Sequence, residues 1–83
     1  VPRGNVKALS RLIADALDRA YLESGMTQGQ VGQASGISQS QVSKYLRGVR
    51  VPDVDSLDAL CTALSLNVDV VVADAVAARR AAS

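Results

Sequence analysis

Neither phenylalanine nor tryptophan occurs anywhere in this chain, so any core it forms must be filled by small aliphatic side chains. Ala, Val and Leu supply most of an apolar content of 48%. Such side chains suit short helices better than a large sheet. The chain has 83 residues, enough for one small domain with one core. No run of about 18 apolar residues is present, so no membrane span is expected, and no signal-peptide pattern is visible. The single Cys61 cannot form an internal disulfide, which points to a reducing, cytoplasmic setting.

Apolar spacing predicts five helices and an all-α domain over residues 5–83. The first four residues, Val1-Pro2-Arg3-Gly4, look like the remnant of a thrombin-type expression tag and are set aside. Val6, Leu9, Ile13, Leu17 and Ala20 fall close to helical spacing, so residues 5–24 read as a helix capped by Asn5 and ended by Gly25. Thr27 caps a second helix, about 28–35, and Gln30 three residues later completes a capping box. Val31 and Ala34 are its expected inward positions. Gly29 and Gly32 each cost about 1 kcal/mol relative to Ala in a helix interior, so a neighbour is expected to pack very close to one of them.

Gly36 breaks the pattern, and Ser38 caps a third helix, about 39–47, that Gly48 ends. Pro52 keeps that helix from running on. A fourth, about 54–65, takes Asp53 or Asp55 as its cap and carries Leu57, Leu60, Cys61 and Leu64 at i, i+3, i+4 and i+7. Asn67 can cap a fifth, about 68–81. There Val68, Val70, Val71 and Val72 are β-branched, so 68–72 also suits a strand.

The formal net charge is +1, which by itself names no partner. Distribution is more informative. After Glu23 the next acid is Asp53, and between them lie Lys44, Arg47 and Arg50. On a wheel of about 100° per residue, Gln39, Ser43, Arg47, Ser40 and Lys44 share one arc of about 140°. Val42, Tyr45 and Leu46 take the other side. A surface built for water mixes both signs. This one offers hydroxyls, an amide and cations with no carboxylate, and duplex DNA is its natural counterpart. Gln pairs bidentately with adenine, Lys donates to guanine, and Ser bonds either way in the major groove. A helix, a turn at Gly36 and a second short helix is the helix-turn-helix pattern, about 27–47.

The stretch MTQGQVGQASGISQSQVSKYLRG, residues 26–48, resembles the helix-turn-helix of the lambda repressor and Cro family of phage and bacterial regulators. The resemblance rests on Thr27-Gln28, Val31, the small Gly32, Gly36, Ile37, Gln39-Ser40, Val42, and Leu46 followed by Gly48. SLDALCTALSLNVD, residues 56–69, is similar to the family's fourth helix and its approach to the fifth. The likeness covers roughly residues 6–72. It implies a five-helix repressor-like fold in which Gln39, Ser40 and Lys44 read bases. It also implies that Gln28 contacts a phosphate and braces Gln39, with Thr27, Ser43, Arg47 and Arg50 near the DNA backbone. Two positions depart from the pattern: Gly32 stands where Ala is usual, and Tyr21 where a basic residue is common.

Repression by occupying a double-stranded operator is the expected role, in the cytoplasm and on the nucleoid when bound. A protein-interaction module such as an antitoxin is the alternative on the same fold. The composition points to a GC-rich genome, that of an actinobacterium or its phage. An enzyme is not expected, since there is no His to act as base or metal ligand, and acids such as Asp53, Asp55, Asp58 and Asp69 sit at helix starts. No cofactor, metal or small-molecule ligand is expected. Cys61 on the apolar stripe reads as a buried thiol, and Tyr45 as core or core edge. On the fifth helix Val68, Val71, Val72 and Ala75 make one apolar face and Val70, Ala73 and Ala77 a second. That arrangement leads to an expected homodimer through the C-terminal helix, or to packing on a domain of a longer protein.

Overall fold

The computed structural model describes residues 8–82, and every described element is an α-helix: α1 (Ala8–Ser24), α2 (Gln28–Ser35), α3 (Gln39–Leu46), α4 (Val54–Ala63) and α5 (Val68–Ala82). Residues 1–4, read above as a tag remnant, Val6 and the expected Asn5 cap lie outside the described residues. The valine-rich 68–72 stretch opens α5 and is not a strand. The helical reading wins because its apolar residues are needed at i, i+3 and i+7: Val68 is half-buried, and Val71 and Ala75 are buried. No single helix among the described residues is long and apolar enough to cross a membrane.

The core is built from small side chains contributed by every helix. Leu17 of α1, Val31 of α2, Val42 of α3, and Leu60 and Cys61 of α4 are completely buried. Val71 and Ala75 of α5 close it, and the α4 stripe of Leu57, Leu60, Cys61 and Leu64 faces inward throughout. Burying a side chain of this size stabilises by about 1.5–3 kcal/mol, so each short helix is held mainly by one or two anchors. Helix α1 runs along α5 and also touches α3, while α2 packs on α3 and α4. Tyr45 is buried in this core, and Tyr21 of α1 packs against its edge. Burial pushes the Cys61 thiol up from its ordinary value, and the nearby Asp58 charge adds to the effect, so the sulfur stays protonated.

One expected inward position is reversed: Ala34 is exposed. The buried arc of α2 is centred between Val31 and Gly32, because α3 approaches at Gly32. Ala34 lies about 110° from the middle of that arc, whereas Gln28 and Ser35 fall on it and are half-buried.

The helix ends follow side-chain chemistry. Thr27 caps α2 in a complete capping box: the Gln30 N–H donates to Thr27 Oγ1 at 3.1 Å and the Thr27 N–H to Gln30 Oε1 at 2.8 Å. Ser38 caps α3, accepting from the Gln41 N–H. Of the two candidates at α4, Asp53 is the cap, accepting from the Ser56 N–H at 2.7 Å. Asn67 sits at the head of α5, where its carbonyl accepts from the Val71 N–H.

Helices α3 and α4 end in the same motif, each a residue or two before the expected stop. After α3 the Gly48 N–H donates to the Tyr45 carbonyl and the Val49 N–H to the Lys44 carbonyl. After α4 the Ser65 N–H donates to Thr62 and the Leu66 N–H to Cys61. This pair of bonds needs one left-handed residue, Gly48 at φ +73° in the first case and Ser65 at φ +60° in the second. The end of α4 is hard to read in the sequence because a serine occupies the glycine position.

Candidate nucleic-acid interface

Helices α2 and α3 are joined by backbone fit. Gly36 adopts φ +75° and donates its N–H to the Gly32 carbonyl at 2.9 Å, which stops α2 and turns the chain. Ser35 supports the turn from the side: its Oγ donates to the Gly32 carbonyl and accepts from the Ile37 N–H. The chain then passes so close to α2 that a Cβ on Gly32 would lie 2.8 Å from the Ile37 carbonyl oxygen and 3.5 Å from the Gln39 nitrogen. Gly32 is therefore the glycine that a neighbour crowds, and its missing side chain sets how closely α3 begins against α2.

That contact places the start of α3 beside the start of α2. The Gln39 Oε1 lies 3.5 Å from the position of a Gly29 Cβ, so the Gln39 carboxamide rests over the first turn of α2. No side-chain hydrogen bond joins Gln28 to Gln39 in the free domain. The Gln39 carboxamide lies instead beside the bare Gly29 backbone. A shallow notch opens here, with Thr27, Gly29, Gln33 and Ser38 among its walls and Gln39 at its edge. Gln33 was not singled out from the sequence. Its position one turn before the tight Gly36 turn brings it there, which spacing along α2 alone does not reveal.

Along α3, Gln39, Ser40 and Arg47 are exposed, and Ser43 and Lys44 are half-buried. The opposite side, Val42, Tyr45 and Leu46, is buried. The arc expected from the wheel is thus the solvent face, and it carries no acid. Arg47 folds back along its own helix, its Nε–H donating to the Ser43 carbonyl at 3.3 Å. The Arg50 N–H donates to the Lys44 carbonyl at 3.3 Å, which ties this second arginine to the end of α3. Lys44, Arg47 and Arg50 therefore form a cationic edge on one end of the face, with the Gln39 and Ser40 donors at the other.

Two further features belong to the surroundings. Gln41, between the polar and apolar sides of α3, has its Oε1 buried without a hydrogen-bond partner. The Asp53 carboxyl, which follows the cationic edge in sequence, is engaged at the head of α4. The Ser56 backbone N–H, then its side chain, hold it below the usual carboxylate value. Among the described residues no three His, Cys, Asp or Glu side chains come together as a metal site.

Comparison with known proteins agrees with this geometry. A helix-turn-helix family model matches residues 17–71, more than half of the chain and the whole of α2 and α3. The transcriptional regulator ClgR of two Mycobacterium tuberculosis strains, CDC 1551 / Oshkosh and ATCC 25618 / H37Rv, is 34% identical over 64 residues, or 77% of this chain. The matched segment spans 57% of the length of those relatives. No solved structure gives a significant match. A five-helix domain, a capped α2 turned tightly into α3, and a family match across both helices place this chain in the helix-turn-helix family of the lambda repressor and Cro type.

Proposed function

We propose that this domain regulates transcription by reading duplex DNA with α3 in the major groove. The observation that carries the proposal is the acid-free outer face of α3, held against α2 by the Gly32–Ile37 contact. Gln39, Ser40 and Lys44 read base edges: Gln39 suits adenine, Lys44 suits guanine, and Ser40 bonds either way. Thr27, Gln28, Ser43, Arg47 and Arg50 flank them and meet the phosphates. The start of α2 adds free N–H groups aimed at a phosphate. The relatives' description as transcriptional regulators supports the regulatory role. We place its action at the level of repression, by occupancy of an operator.

One α3 reads only a few base pairs, so the domain works as a symmetric dimer on two half-sites about one helical turn apart. The second apolar face of α5 supports that reading. Val70, Ala73 and Ala77 are all exposed, while Val68, Val71, Val72 and Ala75 serve the core.

The test is a binding-site selection from random duplexes, followed by titrations at two salt concentrations. Gln39→Ala and Lys44→Ala are expected to cost about 1–3 kcal/mol on the selected site and much less on random DNA. Arg47→Ala and Arg50→Ala weaken all sequences alike and reduce the salt slope by about one unit each. No binding to any duplex at low salt would discard the DNA reading in favour of a protein-interaction module.

A further inference from the structure

Between α1 and the start of α5 lies a groove of about 350 Å³ whose two lips carry opposite charges. Its floor is made of the small or buried residues Ala16, Val71 and Ala75. Arg19 stands exposed on the α1 lip and Asp74 exposed on the α5 lip, and neither has an ion-pair partner among the described residues. Val70, one turn before Asp74 on the same lip, is 48% exposed, although it is large and apolar.

A groove with one cationic and one anionic lip is complementary to itself under a specific symmetry. A two-fold axis along the groove exchanges the lips, so the cation of one copy faces the anion of the other, twice. An axis across the groove would set like charges together. Isologous contacts of this kind make closed dimers. Opposed charges at a rim fix register and exclude the wrong orientation.

We propose that this groove seats a second copy of the chain. Arg19 faces Asp74 of the partner subunit, and Val70 of the partner subunit covers the small-residue floor. The proposal rests on the dimer reading above and adds its axis and its charge code. It removes Val70 from water and gives both unpaired charges a partner. Each ion pair is modest alone, but there are two per dimer, and reversing one charge turns both into repulsion.

The experiment is sedimentation equilibrium of the full 83-residue chain at tens of micromolar and low salt, with Arg19→Glu, Asp74→Arg and the double variant R19E/D74R. Each single reversal is expected to weaken the dimer about tenfold, and the double variant to return it to within about threefold of the original. Both residues are exposed, and circular dichroism verifies that each variant keeps its helices. Binding to a single half-site duplex stays unchanged in all three, because neither residue lies on the α3 face. Single reversals without effect, or a double variant without rescue, would overturn the charge code. A monomeric wild type that still binds the selected site would overturn the groove assignment and leave the DNA reading standing. A dimer lost only in Val51→Asp or Val54→Asp would move the interface to the α3–α4 loop and likewise overturn it.

Discussion

The α4–α5 pair and the α2–α3 pair each join two short helices, and they do so with different physics. Helices α4 and α5 meet through side chains. Leu57, Leu60, Cys61 and Leu64 share one core with Val71 and Ala75, and the turn between the helices tolerates a serine at φ +60°. Helices α2 and α3 also send Val31, Val42, Tyr45 and Leu46 into the core, but these side chains do not set how the two helices meet. Their approach is fixed by the bare Gly32 backbone against the Ile37 carbonyl and by Gly36 in the left-handed region. Where apolar burial is plentiful, a poorly suited turn residue is carried along. Between α2 and α3, whose outer face stays polar, the approach is left to backbone fit, and glycine becomes the specifying residue.

The largest effect is expected on the side-chain-built half. Leu60 is completely buried, and Leu60→Ala should destabilise by about 2–5 kcal/mol, a large share of the stability of any small domain. Urea melts measure it directly. A loss under 1 kcal/mol would mean that the core collapses around the change and that α4 is not the anchor.

Gly32→Ala sharpens the comparison from the other side. Helix propensity alone predicts a gain of about 1 kcal/mol. The new Cβ would lie 2.8 Å from a backbone oxygen that has no rotamer to yield, and overpacking of this kind costs about 1–3 kcal/mol. We expect net destabilisation together with weaker site-specific DNA binding, as α3 is pushed from α2. A variant more stable than wild type with intact binding would show that the turn relaxes, and the backbone-fit account would fall. Gly36→Val tests the same half through conformation, and should cost more than about 1 kcal/mol with a clear drop in Tm.

Ser65→Gly should act in the opposite direction. It supplies the residue that the motif after α4 favours, as Gly48 already does after α3. A gain of up to about 1 kcal/mol is expected, reduced by the added freedom of the unfolded chain, with DNA affinity unchanged. A loss of stability would show that the serine is not strained there.

The smallest effect concerns pH. The folded Asp53 carboxyl titrates below its unfolded value, so the stability it contributes is present above the unfolded carboxylate value and fades as pH falls through the folded one. Asp53→Asn keeps a capping oxygen and removes the titration. The Tm difference between wild type and this variant should therefore shrink on acidification. A difference that stays constant with pH would assign the cap to hydrogen bonding alone.

Much of the fold was legible because its signals are local. The Thr27 and Gln30 capping box, the Ser38 cap, the left-handed Gly36 and the Leu57–Leu64 stripe each depend on residues a few positions apart. The polar arc of α3 was legible for the same reason, since periodicity alone separates Gln39, Ser40, Ser43, Lys44 and Arg47 from Val42, Tyr45 and Leu46. The end of α4 was overrun because Ser65 carries no stop signal. Ala34 was misplaced because which arc of α2 is buried depends on where α3 approaches.

The sequence by itself determined that this domain is built mainly of helices, where α2, α3 and α4 begin, and that one face of α3 is polar and free of acids. Those properties follow from caps, periodicity and the absence of acids between Glu23 and Asp53, all of which are properties of neighbours along the chain. Tertiary structure decided that 68–72 is helix, that Gly32 rather than Gly29 is the crowded glycine, and that Gln39 rests over Gly29. It also brought Arg19 and Asp74 to facing lips of one groove. In each case the deciding interaction joins residues that only packing brings together, and a side chain's spacing along its own helix carries no information about the distance to another.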